Sequence, residues 1–133
     1  VFDADGLGEN FGEILGQDHL PYVEFHGGRN AQAIDDKRYK NLRTQMYYIV
    51  AEKFRQGLYS LKSLGDKEFE LLKNQLCSIK TKWPDAVGRM QIETKEDLSA
   101  RQIPSPDLAD TFMMLEFGFY QGKIGDIGPF RYR

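Results

Sequence analysis

Four aspartates give this sequence its clearest potential for metal chemistry. Asp3 and Asp5 follow a short apolar stretch and are themselves followed by glycines. Asp107 and Asp110 are three residues apart, so on a helix they share one face. Carboxylate oxygens are the ligands that Mg²⁺ and Mn²⁺ prefer. Two such ions about 3.5–4 Å apart can hydrolyse a phosphodiester, which is the chemistry that these residue types permit.

Each pair of aspartates also has an ordinary structural interpretation. Asp3 and Asp5 can stabilise the glycine turn that follows them, and Asp107 and Asp110 can offset the positive end of a helix dipole. A calcium-binding EF-hand loop is excluded, because Ile14 stands where that loop requires a bidentate glutamate. Spacing alone therefore leaves the metal role and the structural role open.

Five basic residues are candidates for contact with DNA phosphates. Lys80 and Lys82 alternate onto one face of a predicted hairpin strand, with Arg89, Lys95 and Arg101 nearby in the sequence. A solvated charged face is the alternative interpretation. The net charge of −2 argues against a broad basic surface. It is compatible with an enzyme whose acidic residues surround metal ions while its basic residues lie on the rim.

Alternating strands and helices are predicted to position these residues. In order, the predicted elements are a strand end at 1–3, a helix at 9–15, a strand at 22–25, helices at 40–56 and 66–76, hairpin strands at 77–83 and 89–93, a short helix or turn at 95–102, and a last helix from about 106. Asp66 and Ser105 are the predicted caps of two of these helices. The predicted buried faces comprise Leu42, Met46, Ile49, Val50 and Phe54 of the long helix, and Leu108, Phe112, Leu115 and Phe119 of the last. This order predicts a mixed α/β fold.

Length and composition set the limits of the interpretation. The chain has 133 residues, 41% hydrophobic and 29% charged, which is typical of one folded domain. No apolar run approaches the roughly 20 residues of a membrane span, and no secretory leader opens the sequence. A single cysteine excludes an internal disulfide, so a cytosolic setting is expected. Because the chain opens with Val1 in what is predicted to be mid-strand, we expect a fragment of a longer protein.

Three stretches, taken in order, carry a resemblance to a known family. They are Val1-Phe2-Asp3-Ala4-Asp5-Gly6-Leu7-Gly8, then Tyr39-Lys40-Asn41-Leu42-Arg43, then Gly88-Arg89-Met90-Gln91-Ile92 through Lys95-Glu96 and Arg101 to Ser105-Pro106-Asp107-Leu108-Ala109-Asp110. Together they resemble the nuclease domain of phage terminase large subunits, a branch of the ribonuclease-H-like superfamily. The resemblance extends over roughly residues 1–115.

The resemblance implies a fold, an activity and partners. The expected fold is a ribonuclease-H-like mixed sheet flanked by helices, with a β-hairpin before the last helix and the first strands missing. Residues 1–121 are expected to form this partial domain and residues 122–133 a tail. The activity is Mg²⁺- or Mn²⁺-dependent cleavage of concatemeric viral DNA during packaging. Its partners are double-stranded DNA and, in the parent assembly, the terminase ATPase domain, small subunit and portal, in the host cytoplasm and without a membrane.

The resemblance also assigns the site residues. Asp3 matches the second catalytic carboxylate and Asp107 the third, with Asp110 and Asp5 as further metal ligands. The first metal-binding aspartate is expected on a strand upstream of Val1. Without that strand, β-strand residues 1–3 would have an unpaired edge, which predicts self-association or low stability of the isolated fragment.

The sequence departs from the family at one stretch and leaves two other functions open. Residues 101–104 read Arg-Gln-Ile-Pro, where the family commonly has a glycine after the basic residue. No Gly-x-x-x-x-Gly-Lys phosphate-binding motif of an ATPase occurs here. The alternatives are a catalytically incomplete module with a structural or docking role, and another ribonuclease-H-like nuclease such as a junction resolvase.

Overall fold

The chain combines short strands with longer helices. The structure, a computed structural model, describes residues 1–5, 8, 11–17, 19, 21–28 and 31–121. Within these residues the elements are β1 (Phe2–Asp3), α1 (Phe11–Gln17), β2 (Glu24–Phe25), α2 (Leu42–Arg55), α3 (Asp66–Ser78), β3 (Thr81–Lys82), β4 (Gln91–Ile92), α4 (Lys95–Ala100) and α5 (Asp107–Tyr120). β1 pairs with β2 in parallel, and β3 pairs with β4 in antiparallel. The predicted mixed α/β fold, with a hairpin ahead of the last helix, is confirmed.

The central helix, α2, begins at a side-chain cap. Asn41 Oδ1 accepts the backbone N–H of Thr44 at 2.8 Å, which fixes the start of the helix two residues later than predicted. Leu42, Met46 and Val50 are buried, so the predicted apolar face is confirmed. The helix ends just before Gly57, whose φ of +68° places it in the left-handed region that favours glycine.

The hydrophobic core lies between α2, α5, β2 and β4. Helix α5 packs against both α2 and α3. The buried core cluster consists of Val23, Phe25, Leu42, Met46, Tyr47, Val50, Leu72, Ile92, Ala109, Met113 and Phe117. No helix in the described part of the chain combines the length and the apolar character that crossing a lipid bilayer requires.

The predicted buried face of α5 is confirmed only in part: Leu108 and Phe112 pack against the core, but they lie at the edge of the buried face. Leu115 is exposed, and Leu108, Phe112 and Phe119 are only half-buried, whereas the helix buries Ala109, Asp110, Met113, Glu116 and Phe117. Two of these buried residues are carboxylates that have partners on or next to α2. Glu116 accepts hydrogen bonds from Lys53 and from the Tyr59 hydroxyl, the latter at 2.8 Å. Apolar periodicity in the sequence does not reveal a buried helix face whose charged residues form ion pairs with a neighbouring helix.

Several element boundaries also differ from prediction. Helix α1 continues through Gly16, and β2 is shorter than the predicted strand at 22–25. Asp66 is the first residue of α3 rather than its cap, and α3 continues through Cys77 and Ser78, which leaves only two residues for the first hairpin strand.

The last helix begins one residue later than predicted. Pro106 is the N-cap residue of α5, and Ser105 does not cap it, because its hydroxyl donates to the side chain of Asp107 instead. The predicted tail, residues 122–133, lies outside the described residues, as do Glu9 and Asn10 of the first predicted helix.

Candidate functional site

An open cleft of about 260 Å³ lies where β1, β2, the first turn of α2, the start of α4 and α5 meet. Its lining is rich in acidic side chains: Asp3, Asp5, Glu93, Glu96 and Asp110. Two cationic residues, Arg43 and Lys95, also line it. Three of the four aspartates predicted to bind metal therefore share one cleft, although they come from opposite ends of the sequence.

Parallel pairing of β1 with β2 brings Asp3 to the cleft. The N–H of Phe2 donates to Val23 O at 3.1 Å and the N–H of Ala4 to Phe25 O at 2.9 Å, so the carboxyl ends of both strands lie side by side. Asp3 itself is exposed, and its Oδ1 accepts the N–H of Asp5 at 3.1 Å. The turn-stabilising role is thus present, and the second carboxylate oxygen of Asp3 has no hydrogen-bond partner among the described residues.

Asp5 lies beside the residues that follow β2. Its Oδ1 is 3.3 Å from His26 Nδ1, and His26 Nε2 is 3.7 Å from Glu24 Oε2. A Cβ atom at position 28 would lie 3.3 Å from Asp5 Oδ2. Because glycine has no Cβ atom, this oxygen is not crowded in its position. The sequence analysis assigned no role to His26; its position at the end of a strand next to β1 was the available signal.

Asp110 is held in place by α2 through one of its oxygens. Its Oδ1 accepts from Arg43 Nε at 3.3 Å, from Arg43 Nη2 at 3.2 Å and from the Tyr47 hydroxyl at 2.7 Å. Arg43 Nη1 also donates to Glu93 O at 3.0 Å, so one guanidinium joins α2, α5 and the end of β4. Burial, followed by the charge of Asp110, raises the pKa of Tyr47 above its ordinary value, so this phenol stays a hydrogen-bond donor.

The other oxygen of Asp110 is a buried acceptor without a hydrogen-bond partner among the described residues. Lys95 Nζ is 3.4 Å away, within ion-pair distance but outside hydrogen-bond geometry. Buried polar atoms are normally hydrogen-bonded, and an unsatisfied one is costly. An unsatisfied carboxylate oxygen in an acidic cleft has the chemistry of a ligand for a hard cation.

The acidic residues of the cleft do not form a closed cluster. Within the described parts of the chain, no three His, Cys, Asp or Glu side chains are grouped so that they could hold a metal ion. Mg²⁺ is commonly bound by one or two carboxylates together with water and substrate phosphates, so it does not require a cage of protein ligands. A site of that kind needs only one or two of the carboxylates that line the cleft, such as Asp3 or Asp110.

Asp107 lies outside the lining of the cleft. It is exposed on the first turn of α5, about 4.5 Å along the helix axis from Asp110. Its Oδ1 accepts from Ser105 Oγ at 2.5 Å. A role for Asp107 in metal binding stays a prediction, and the cleft geometry favours Asp110 as the ligand from this helix.

Four of the five predicted DNA-binding residues have carboxylate partners within the chain. Lys82 pairs with Asp97, Arg89 with Asp85, Lys95 with Asp110 and Arg101 with Glu93. The hydrogen bond from Lys82 is the main reason that the pKa of Asp97 falls to about 2. The described residues provide no such partner for Lys80, whose side chain is exposed. Contact of these residues with DNA stays a prediction.

The sequence analysis missed the residues that hold Asp110. Arg43 ends the stretch Tyr39-Lys40-Asn41-Leu42-Arg43 that carries the resemblance, but it had no predicted role. The sequence predicts only core or surface packing for the Tyr47-Tyr48 pair. Both side chains point to the same face because they are four residues apart on α2. A buried arginine on a helix face that is otherwise apolar was the signal that a carboxylate partner must exist.

The mixed α/β architecture of the chain is shared by solved structures of other proteins. Solved structures with this fold to which the chain is similar include the nuclease domain of the large terminase subunit of bacterial virus Sf6. The match has a TM-score of 0.70 at 24% identity and covers 86% of this chain and 62% of that chain. A lysine-to-alanine mutant of that domain with manganese matches with a TM-score of 0.67 at 22% identity, covering 86% of this chain and 63% of that chain.

A calcium-containing structure of the same Sf6 mutant matches equally well, with a TM-score of 0.67, 22% identity and coverage of 86% of this chain and 62% of that chain. No family model and no curated protein sequence matches the chain. Identities of this size establish a shared fold. The chain spans less than two thirds of the length of the Sf6 chains.

Proposed function

We propose that the chain is part of a metal-dependent DNA endonuclease domain of a phage terminase large subunit. In this role it cleaves concatemeric viral DNA during genome packaging, by phosphodiester hydrolysis with two metal ions. The observation that carries the proposal is the convergence of Asp3, Asp5 and the unsatisfied oxygen of Asp110 on one cleft. The shared fold with the Sf6 nuclease domain, solved with manganese and with calcium, supports it.

Different residues of the cleft would bind the metal, orient its ligand and bind the phosphate during hydrolysis. Asp110 Oδ2, Asp3 and Asp5 would hold Mg²⁺ or Mn²⁺, which when bound supplies charge neutralisation of the phosphate and activation of water. Arg43 and Tyr47 keep the Asp110 carboxylate in a fixed orientation. The first turn of α2 also faces the cleft, through Asn41 and Thr44, and its positive dipole end favours a phosphate there.

The proposal extends to partners and location. Double-stranded DNA is the substrate, and the terminase ATPase domain, small subunit and portal are the expected partners in the parent assembly. The place of action is the host-cell cytoplasm.

Nicking of plasmid DNA in Mg²⁺ or Mn²⁺ tests the proposal. We expect cleavage that chelation abolishes. Asp3→Asn should reduce cleavage at least a hundredfold, because it removes a carboxylate that is proposed to bind the metal. Since Asp3 is exposed, this substitution should leave the fold intact. Asp66→Asn, at an exposed aspartate at the start of α3, is the matched control. Asp107→Asn, at an exposed position of α5, tests whether this aspartate also serves the metal. Cleavage that is independent of divalent metal, or equal in Asp3→Asn, would refute the assignment.

A structural or docking role is the second candidate, and the absence of a closed ligand cluster among the described residues favours it. Calorimetric titration with Mn²⁺ separates the two candidates independently of activity. The nuclease proposal expects binding that Asp3→Asn weakens, whereas the docking role expects none. Preference for branched over linear duplex would indicate a junction resolvase instead.

A further inference from the structure

The hairpin that precedes α4 carries two exposed apolar side chains at its tip. Trp83 is 90% exposed and Val87 74%, the highest values among the large hydrophobic residues that the structure describes. Both lie in the loop between β3 and β4, and Trp83 is the only tryptophan of the sequence. The fold does not use these side chains for packing.

The tip is held rigidly by one carboxylate. Asp85 Oδ1 accepts the N–H groups of Val87 and Arg89 at 3.1 and 2.9 Å, and its Oδ2 accepts from Arg89 Nε at 2.9 Å. The hydrogen bond from the Arg89 N–H is the first cause of a lowered pKa of Asp85, so the carboxylate stays charged. Gly88, with a φ of +86°, closes the turn. A side chain presented on a rigid loop loses little conformational entropy when it binds.

Cationic side chains without carboxylate partners flank the hairpin. Arg38 and Lys40 are tied to it through the backbone: the Met90 N–H donates to Arg38 O at 2.8 Å, and the Lys40 N–H to Met90 O at 3.0 Å. Lys40 Nζ donates to the neutral Gln91 side chain at 3.0 Å. Together with Lys80, these residues give three cations for which the described residues provide no carboxylate.

The hairpin leads directly into the wall of the cleft. Strand β4 ends at Ile92, and residues 93–96 line the cleft. Gln91 and Lys95 are four positions apart in the chain, so their Cα atoms are at most about 14 Å apart. This length corresponds to roughly four base pairs of duplex DNA. A duplex bound at the cleft would therefore pass the base of the hairpin, at Gln91.

We propose that the hairpin tip is a DNA-contacting wedge, in which Trp83 packs against the bases or sugars of a duplex groove while Arg38, Lys40 and Lys80 contact its phosphates. The identity of the ligand as DNA rests on the proposed function. The charge of the flanking residues supports it, because an apolar tip between unpaired cations matches a polyanion with apolar base and sugar surfaces. Apolar side chains that wedge into the groove of a duplex bend the DNA, so that it contacts more of the protein surface.

Fluorescence of Trp83 reports on the wedge directly, since the chain has no other tryptophan. The titration uses the full chain with a 20-base-pair duplex in EDTA, so that binding is measured without cleavage. We expect bound DNA to reduce quenching of Trp83 by acrylamide. With a fluorescein-labelled duplex, Trp83→Ala should weaken binding about tenfold. Lys80→Ala should lower the slope of log affinity against log salt by about one.

Phe69→Ala is the matched control, because Phe69 is an exposed aromatic residue at the start of α3. It should bind DNA as the wild type does. The wedge is refuted if saturating DNA leaves Trp83 as accessible to acrylamide as before, if Trp83→Ala binds equally well, or if the wild type binds no DNA. Shielding of Trp83 that depends on protein concentration alone would also refute it and would indicate a second copy of the chain as the occupant. Loss of cleavage with binding intact would refute the proposed function alone.

Discussion

Arg43→Ala is the substitution that tests how the cleft is held together. It removes three hydrogen bonds, two to Asp110 Oδ1 and one to Glu93 O. The side chains of Arg43 and Asp110 are only 11% and 12% exposed, so water cannot replace the guanidinium. Breaking a buried ion pair from one side costs about 3–5 kcal/mol. That is a large part of the roughly 5–15 kcal/mol that stabilises an ordinary domain.

Urea unfolding followed by circular dichroism measures this loss. We expect the free energy of unfolding of Arg43→Ala to fall by about 3–5 kcal/mol with an unchanged m-value. The matched control is Arg55→Ala on the same helix, whose ion pair with Glu52 joins side chains that are 74% and 48% exposed. An exposed pair contributes less than about 1 kcal/mol, so the control should unfold almost as the wild type does.

A double substitution separates the ion pair from other effects of the mutation. Arg43→Met combined with Asp110→Asn removes both charges, so it should cost less than the sum of the two single changes. The reasoning is refuted if Arg43→Ala costs no more than Arg55→Ala, or if the two changes at Arg43 and Asp110 are additive.

Two further predictions concern pH. The pKa of Tyr47 is raised above its ordinary value of 10.0, so the stabilising contribution of this phenol is complete below pH 10 and declines as the pH rises further. The free energy of unfolding of the wild type should therefore fall by about 1 kcal/mol per pH unit above pH 10, relative to Tyr47→Phe. Urea midpoints that run parallel in the two proteins from pH 9 to 11 would contradict this. The pKa of Asp97 is lowered to about 2, so the contribution of this carboxylate to stability is present above pH 3.8 and is lost as the pH falls towards 2. Asp97→Asn should have a lower urea midpoint than the wild type at pH 7 but not at pH 2. An equal difference at both pH values would exclude ionisation of Asp97 as the cause.

The sequence was sufficient where local chemistry determines the structure. The apolar periodicity of α2, the glycine after it and the alternating hairpin residues each depend on neighbours within a few positions, and all three were confirmed. The boundary of α3 was wrong because residues such as Cys77 are compatible with a helix and with a strand, and the tertiary context selects between them.

The site was predictable by residue type but not by its supporting contacts. Of the four aspartates predicted to bind metal, Asp3, Asp5 and Asp110 line one cleft and Asp107 does not. Their role as metal ligands stays a prediction. Whether Asp107 or Asp110 faces the cleft depends on the rotation of α5, which the buried partners Arg43 and Tyr47 determine. Those contacts join residues more than 60 positions apart, a separation that no local pattern encodes.

The two buried carboxylates of α5 determine how this helix can move. Asp110 is anchored to Arg43 and Glu116 to Lys53, at points six residues and about 9 Å apart along the axis. Helix α5 can neither rotate about its axis nor shift along it by one residue unless both ion pairs break. The orientation of the Asp110 carboxylate is consequently a property of the helix pair as a whole. A substitution at Glu116, which does not line the cleft, should therefore change the orientation of the Asp110 carboxylate.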